Sequence, residues 1–344
     1  MTEKELCKTV TIGVIAYNEQ YYLQRLLGSI VKQSYSHKLI TVILVDGNST
    51  DDTRSVMERF KSENEKEFLS VGVYDNFKRI QPAGWNVVLE HFNTDVLIRV
   101  DAHAELNTDF VEKTMDCINS GEYVCGGPIE TVADNTSMWI DTLKKAEKSV
   151  FGSSIAKYKR SETRSYVKTT QFAAYRREVT DKAGLFNEKL VRTEDNEYHY
   201  RIRKAGYQIC FDPSIKSRYL MRGSFGELLK QKYQNGEWIG RTLFSCPQCI
   251  SWYHVIPAVF VAGATASFVM AEIGLKIPAK LLWILYIMAN LLMSITAGIN
   301  SPTDLLLPFV FLALHVSYGV GTIRGIIKEA IARIKERSIN NTND

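Results

Sequence analysis

From residue 10 onward, short apolar runs alternate with longer stretches in which apolar residues recur every three or four positions, the pattern of buried strands followed by amphipathic helices. Val10–Ala16 is the first run; Tyr17-Asn18-Glu19 and a helical pattern of Leu23, Leu26, Leu27, Ile30 and Val31 follow it. Residues 40–45 form a second run ending at Asp46, and the loop Gly47-Asn48-Ser49-Thr50-Asp51 supplies turn residues and helix caps ahead of Val56, Met57 and Phe60. A third strand over 96–100 ends at Asp101. Beyond it the pattern predicts a helix over 109–118, a strand and close turn over 123–128, and a helix opened by Thr193-Glu194-Asp195, with Thr193 as N-cap. A strand over 206–213 and an amphipathic helix from 224 through Trp238 complete this part. Gly126 and Gly127 read as a turn or as the wall of a ligand pocket, where close backbone approach needs small residues. The Gly152-Ser153-Ser154 segment is a candidate cover for a bound ligand.

From residue 251 the pattern changes. Apolar stretches at 252–273, 281–299 and 305–323 each approach the roughly 20 residues that a spanning helix needs. Residues 325–337 then place Ile326, Ile327, Ala330, Ile331 and Ile334 on one helical face, which suits a surface-bound helix. Arg324, Lys328, Arg333, Lys335 and Arg337 make this tail basic, so the positive-inside rule expects it in the cytoplasm. Three full spans would put it outside, so one stretch is expected to be re-entrant or interfacial. The expected division is a cytosolic α/β domain over 1–222, an amphipathic interfacial helix region over 223–250, membrane-embedded helices over 251–323 and a basic amphipathic tail over 324–344.

A net charge of +4 over 344 residues, with Lys and Arg dispersed, argues against nucleic acid and leaves anionic membrane lipid as the partner of the basic clusters. The six cysteines show no disulfide framework, and Cys246-Pro247-Gln248-Cys249 is a lone CxxC that reads as a zinc or redox half-site or, more often, as incidental. The polar start of the chain predicts no signal peptide and a first domain in the reducing cytoplasm.

Candidate chemistry centres on Arg99-Val100-Asp101-Ala102-His103. If the extended geometry continues past the strand, Asp101 and His103 share a side. Two ligands do not complete a divalent site, and a nucleotide diphosphate would supply the remaining donors. Read blandly, Asp101 is a helix cap and His103 a surface residue. Asn18, Glu19 and Asp46 also lie at strand carboxyl ends, where open parallel sheets bind ligands. Neither first loop has GxGxxG or a P-loop lysine, so Asp46 suits a base or ribose better than phosphate. Lys78 and Arg79 suit phosphate or, equally, solvent.

In order, Tyr17-Asn18-Glu19, Val45-Asp46-Gly47-Asn48-Ser49-Thr50-Asp51-Asp52-Thr53, Asp101-Ala102-His103 and Glu194-Asp195 resemble family 2 glycosyltransferases of the GT-A fold, especially the succinoglycan-type transferases of bacterial exopolysaccharide assembly. The motifs cover about residues 8 to 245. The resemblance implies an α/β domain with a mostly parallel central sheet, followed by a helical membrane region. It implies that Ala16, Asn18, Glu19 and Asp46 surround the nucleoside. Asp101 and His103 would hold Mn2+ or Mg2+ on the diphosphate, and Asp195 would act as general base. Glu194, Gln234, Trp238 and Arg241 would lie on the acceptor and diphosphate side. Three positions depart from the family pattern: His103 replaces an aspartate, Gly47 an acidic residue, and Glu237 the arginine of Gln-x-x-Arg-Trp, for which Arg241 is a candidate substitute.

The expected activity is inverting transfer of a sugar from a UDP-hexose such as UDP-glucose to a lipid-linked saccharide at a cell membrane, with polysaccharide assembly proteins as possible partners. A processive synthase and a non-catalytic nucleotide-binding membrane scaffold are the alternatives.

Overall fold

The computed structural model describes residues 6–133, 137–152, 162–220 and 224–343. The chain forms two compact units, Met1–Val132 with Tyr158–Met221, and Ala133–Lys157 with Arg222–Asp344.

In the first unit the elements run β1 (Val10–Ala16), α1 (Gln20–Val31), β2 (Ile40–Asp46), α2 (Thr53–Asn64), β3 (Ser70–Asp75), α3 (Gln81–His91), β4 (Val96–Asp101), β5 (Ala104–Leu106), α4 (Phe110–Asn119), β6 (Val124–Gly126) and β7 (Ile129–Val132). The second unit contributes α5 (Met138–Lys148), and the first resumes with β8 (Ser165–Val167), β9 (Ala174–Arg176), α6 (Arg177–Ala183), α7 (Glu194–Lys204), β10 (Ile209–Phe211) and β11 (Ser217–Leu220). Eight strands form one sheet in the order β3-β2-β1-β4-β9-β6-β10-β8, and β5-β11-β7 form a second. The first four strands of the large sheet pair in parallel, while β9 runs antiparallel to both β4 and β6.

Both faces of that sheet are covered, which is why its strands read as continuous apolar runs. Along β2, Val42 and Leu44 join the core that includes Leu23, Leu26 and Met57, whereas Ile43 and Val45 join the one that includes Trp85 and Tyr198. The glycine pair Gly126-Gly127 has a packing cause: a Cβ on Gly127 would meet the Ile215 carbonyl oxygen at 1.9 Å, and one on Gly126 the Thr170 side chain at 2.7 Å. Close backbone approach requires glycine at both positions.

In the second unit α5 is followed by α8 (Phe225–Ser245), α9 (Ile256–Glu272), α10 (Lys276–Thr296) and α11 (Leu307–Asn343). Ser224 caps α8, its side chain accepting from Glu227 N at 3.2 Å. The last apolar stretch does not stop near Ile323: α11 carries on through the basic tail, because residues 318–333 stay paired with α8 along their length. Gly236 and Gly240 of α8 face Gly321 and Gly325 of α11. A Cβ on any of the four would fall 2.0–2.2 Å from a carbonyl oxygen of the other helix, so only hydrogen fits this seam. Cys246 and Cys249 are disulfide-bonded at the end of α8, where the sequence suggested an incidental pair. Three helical stretches, Trp252–Glu272, Lys276–Thr296 and Pro302–Glu336, are long and apolar enough to cross a membrane. Ser153 and Ser154 of the suggested ligand cover lie outside the described residues.

Candidate functional site

Strand register brings the sequence motifs to one edge. Ala16 pairs with Asp46, Asp46 with Asp75, and Ile15 with Asp101, so the carboxyl ends of β1, β2, β3 and β4 are level. In the strand order β1 lies between β2 and β4, the switch point at which open sheets bind ligands.

The loops after β1 and β2 are tied together by residues assigned to the nucleoside. Asn18 adopts φ 55°, a left-handed conformation that asparagine tolerates; its amide donates to Ser49 Oγ at 3.0 Å and its side-chain oxygen accepts from Thr50 N at 2.8 Å. Buried Asp46 accepts from Ser49 N at 3.2 Å, and Gly47 N donates to the Ala16 carbonyl at 2.7 Å. A Cβ at Gly47 would sit 3.1 Å from Tyr17 Cβ, which gives a steric reason for glycine there. Arg79 is exposed at φ 57° in the turn before α3, and neighbouring Lys78 pairs with Glu188 at 2.6 Å.

At β4 the alternation argument fails, because Ala102 and His103 form a turn and Ala104 begins a strand of the other sheet. His103 packs edge-on against Tyr219, with Nδ1 3.8 Å from Glu19 Oε1. That separation is longer than a hydrogen bond, so Glu19 lies near the imidazole without fixing its orientation. Among the described residues no group of three or more His, Cys, Asp or Glu side chains converges as a complete metal centre. The donor chemistry, a carboxylate and an imidazole two residues apart at the carboxyl edge, is of the kind that a divalent ion shared with a diphosphate takes, although the cleft beside Asp101 is lined by two other carboxylates and one buried guanidinium and not by His103.

That guanidinium is Arg99, two residues before Asp101 on an otherwise apolar strand. It lies 4.3 Å from the Trp85 ring and 4.8 Å from that of Phe186, and its Nη2 is 3.5 Å from Glu194 Oε1. Its Nε has no hydrogen-bond partner among the described residues. Asp101, Glu194, Asp195, Gln171, Arg192 and Tyr175 help line a cleft of about 130 Å³ around it. A wider groove of about 700 Å³ between α1 and β5–β11 contains none of these carboxylates.

Burial pushes Glu194 up to about 8, with Asp195 adding to the rise and Arg99 opposing it. Asp195 is raised by the same burial, against Arg99 and an Asn196 N–H that donates to its Oδ1 at 2.7 Å. The helix start alone would lower both; burial wins. Thr193 takes the N-cap position without a side-chain cap bond. One turn on, buried His199 is held between Thr169 Oγ1 and Tyr175 Oη at 2.8 Å each, and burial first, then Arg99, lowers it to about 3, so it is neutral. Since Arg99 holds both carboxylates down, Arg99→Met should raise them further. The acidic limb of the pH profile for kcat/KM should then move to higher pH, and an unmoved limb would separate Arg99 from the ionising group.

Gln234, Trp238 and Arg241 lie on α8 in the second unit. There Arg241 sits 4.9 Å from the Trp238 ring and 4.0 Å from Glu329, while Glu237 pairs with Lys328 at 2.6 Å. The sequence pattern assigns no role to Arg99, Tyr175 or His199. For Arg99 there was a signal, a lone charge within a buried strand; for the other two the contacts are made only by folding.

Residues 11–184 match the family described as glycosyl transferase family 2. The chain is 25% identical over 328 residues, 93% of its length and 97% of the relative's, to a Methanococcus voltae protein named dolichyl N-acetyl-alpha-D-glucosaminyl phosphate 3-beta-D-2,3-diacetamido-2,3-dideoxy-beta-D-glucuronosyltransferase. It is 27% identical over 243 residues, 69% of its length and 71% of the relative's, to the succinoglycan biosynthesis protein ExoA of Rhizobium meliloti. Among solved structures it resembles the mannosyltransferase PcManGT from Pyrobaculum calidifontis in complex with GDP-Man and Mn2+. The TM-score is 0.61 at 16% identity, over 92% of this chain and 88% of that one, a likeness of fold.

Proposed function

The chain belongs to glycosyl transferase family 2, and from that premise we propose an inverting, metal-dependent transferase that moves a sugar from a nucleotide-sugar donor to a lipid-linked saccharide at a membrane. The observation that carries this reading is the single cleft lined by Asp101, Glu194 and Asp195, at the carboxyl end of β4 and the start of α7. Asp195 takes the proton of the acceptor hydroxyl as that oxygen attacks the anomeric carbon, and a single displacement inverts the carbon. A carboxylate raised by burial is a stronger base than a solvated one. Asp101 and His103 would hold a divalent ion, Mn2+ or Mg2+, and that ion would offset the charge that develops on the departing diphosphate. Ala16, Asn18, Glu19 and Asp46 frame the nucleoside.

A UDP-hexose, UDP-glucose first, is the proposed donor, on the resemblance of the ordered motifs. The lipid-linked acceptor is supported by the dolichyl-phosphate saccharide in the name of the Methanococcus relative and by the apolar helices of the second unit. The basic tail supports a cytoplasmic catalytic unit. Glu237 favours single addition over processive synthesis, because the arginine of the processive signature is replaced by an acid already paired with Lys328.

The test is nucleotide release from a panel of UDP-, GDP- and dTDP-sugars, with Mn2+, with Mg2+ and with chelator. Release from one UDP-hexose that stops on chelation is expected, and turnover of a GDP- or dTDP-sugar alone would overturn the donor. Asp101→Ala and His103→Ala should weaken Mn2+-dependent donor binding about 10–100-fold. Unchanged metal titration would remove both residues from the site.

A further inference from the structure

Along α11 the exposed apolar side chains are not scattered. Phe309, Val316, Val320, Ile327, Ile331 and Ile334 are 41–68% exposed, and their spacings of 7, 4, 7, 4 and 3 place all six on one line of an α-helix. The stripe is roughly 37 Å long at the α-helical rise. On the opposite side Leu307, Val310, Phe311 and Leu314 are completely or almost completely buried.

That buried side packs against charged helices. Phe311 lies against Phe151 just after α5, and Ser317 Oγ donates to the Leu229 carbonyl of α8. Further along, Lys328 meets Glu237, Glu329 meets Arg241, and Arg333 donates to the Phe244 carbonyl. The partners advance in the same direction on both helices, so α8 runs parallel to α11. If α11 crossed the bilayer, it would take Lys230, Lys232, Glu237 and Arg241 of α8 with it. Each charge costs about 2.5–3.5 kcal/mol near the hydrocarbon centre, while α11 gains only one lipid-facing stripe.

The hairpin of α9 and α10 differs. Its candidate spans are only 11% and 17% buried, and the described contacts with α11, through Pro257, Phe260, Tyr286 and Asn290, reach no further towards the turn at 273–275 than the middle of α10. Beyond them Val269, Ile273, Ile277 and Leu281 are exposed, as is Leu285 beside Tyr286. Trp252 stands 77% exposed just before α9, where an interfacial tryptophan belongs.

We infer that α11 lies along the membrane surface instead of crossing it, its apolar stripe seated in the headgroup region of an anionic bilayer, and that the α9–α10 hairpin alone enters the hydrocarbon. Exposed Arg324 and Lys335 fall on one shoulder of the stripe, placed to meet anionic headgroups. A hairpin also returns the chain to the face it left, so α8 and the basic tail share a side. This placement is independent of the proposed chemistry.

Two measurements on the full chain in phosphatidylcholine–phosphatidylglycerol vesicles test it. Cysteines at exposed Lys230 and Lys335 should react with an impermeant maleimide from the same side, above the labelling of the unsubstituted protein; reaction from opposite sides overturns the inference. Spin labels at Phe309, Val320 and Ile334 should report one shallow depth by oxygen and nickel-chelate accessibility, with Leu285 deeper. A deep Val320 between shallow ends shows a spanning helix, and full nickel-chelate access at all three shows that lipid does not cover the stripe; either result overturns it.

Discussion

Asp195→Asn is expected to lower the transfer rate by about 10²–10⁴-fold, the usual contribution of a positioned base, with donor affinity nearly unchanged. The amide keeps the size of the carboxylate, and its oxygen can still accept from Asn196 N, which donates to Asp195 Oδ1 at 2.7 Å. What it loses is the capacity to take a proton. The neighbouring Glu194 is a poor substitute, because its carboxyl group faces Arg99 at 3.5 Å and burial keeps it protonated, and so unable to take a proton, up to about pH 8. Single-turnover transfer and calorimetric donor binding on the same preparation check both halves. Unchanged turnover would remove Asp195 as the base, and lost donor binding would make it a donor ligand instead.

The second large effect belongs to the helix seam. Gly321→Ala would put a Cβ 2.1 Å from the Tyr233 carbonyl oxygen, and Gly236→Ala one 2.1 Å from that of Tyr318. Neither obstacle is a flexible side-chain end, so α8 and α11 must separate along the stretch where Glu237 pairs with Lys328. Overpacking a close seam costs about 1–3 kcal/mol and more where backbone has to move, so both variants should melt well below the parent in detergent. Gly28→Ala on α1 is the control: nothing lies within 4 Å of its Cβ, and relief of chain entropy should leave stability equal or about 0.4–1 kcal/mol higher. Equal melting of all three would show that the seam carries no load.

A fully covered parallel sheet made much of the first unit legible. Its strands had to be apolar on both faces, so Val10–Ala16 and Ile40–Asp46 stood out, and the polar residues that follow them had to lie at the carboxyl edge. Asp46 and Asp101 were found in this way before any contact was known. Asp195 was visible as an acid at a helix start, but not the sign of its shift, since the helix start and burial act in opposite directions and burial is set by neighbours remote in the chain. The turn at Ala102-His103 was missed because extended geometry was carried two residues past the strand end at Asp101.

In the second unit local patterning marked apolar stretches and an amphipathic tail, yet it could not tell which apolar face another helix covers. Only folding joined the third stretch to the tail in one helix, set Gly236 and Gly240 against Gly321 and Gly325, and left a single stripe of α11 open. By itself the sequence determined where strands end, which carboxylates stand there and which segments avoid water, because those properties depend on residues adjacent in the chain. The partners of Arg99, the raised carboxylates and the seam of α8 with α11 were decided by tertiary structure, because burial and close approach are properties of pairs that the chain brings together from far apart.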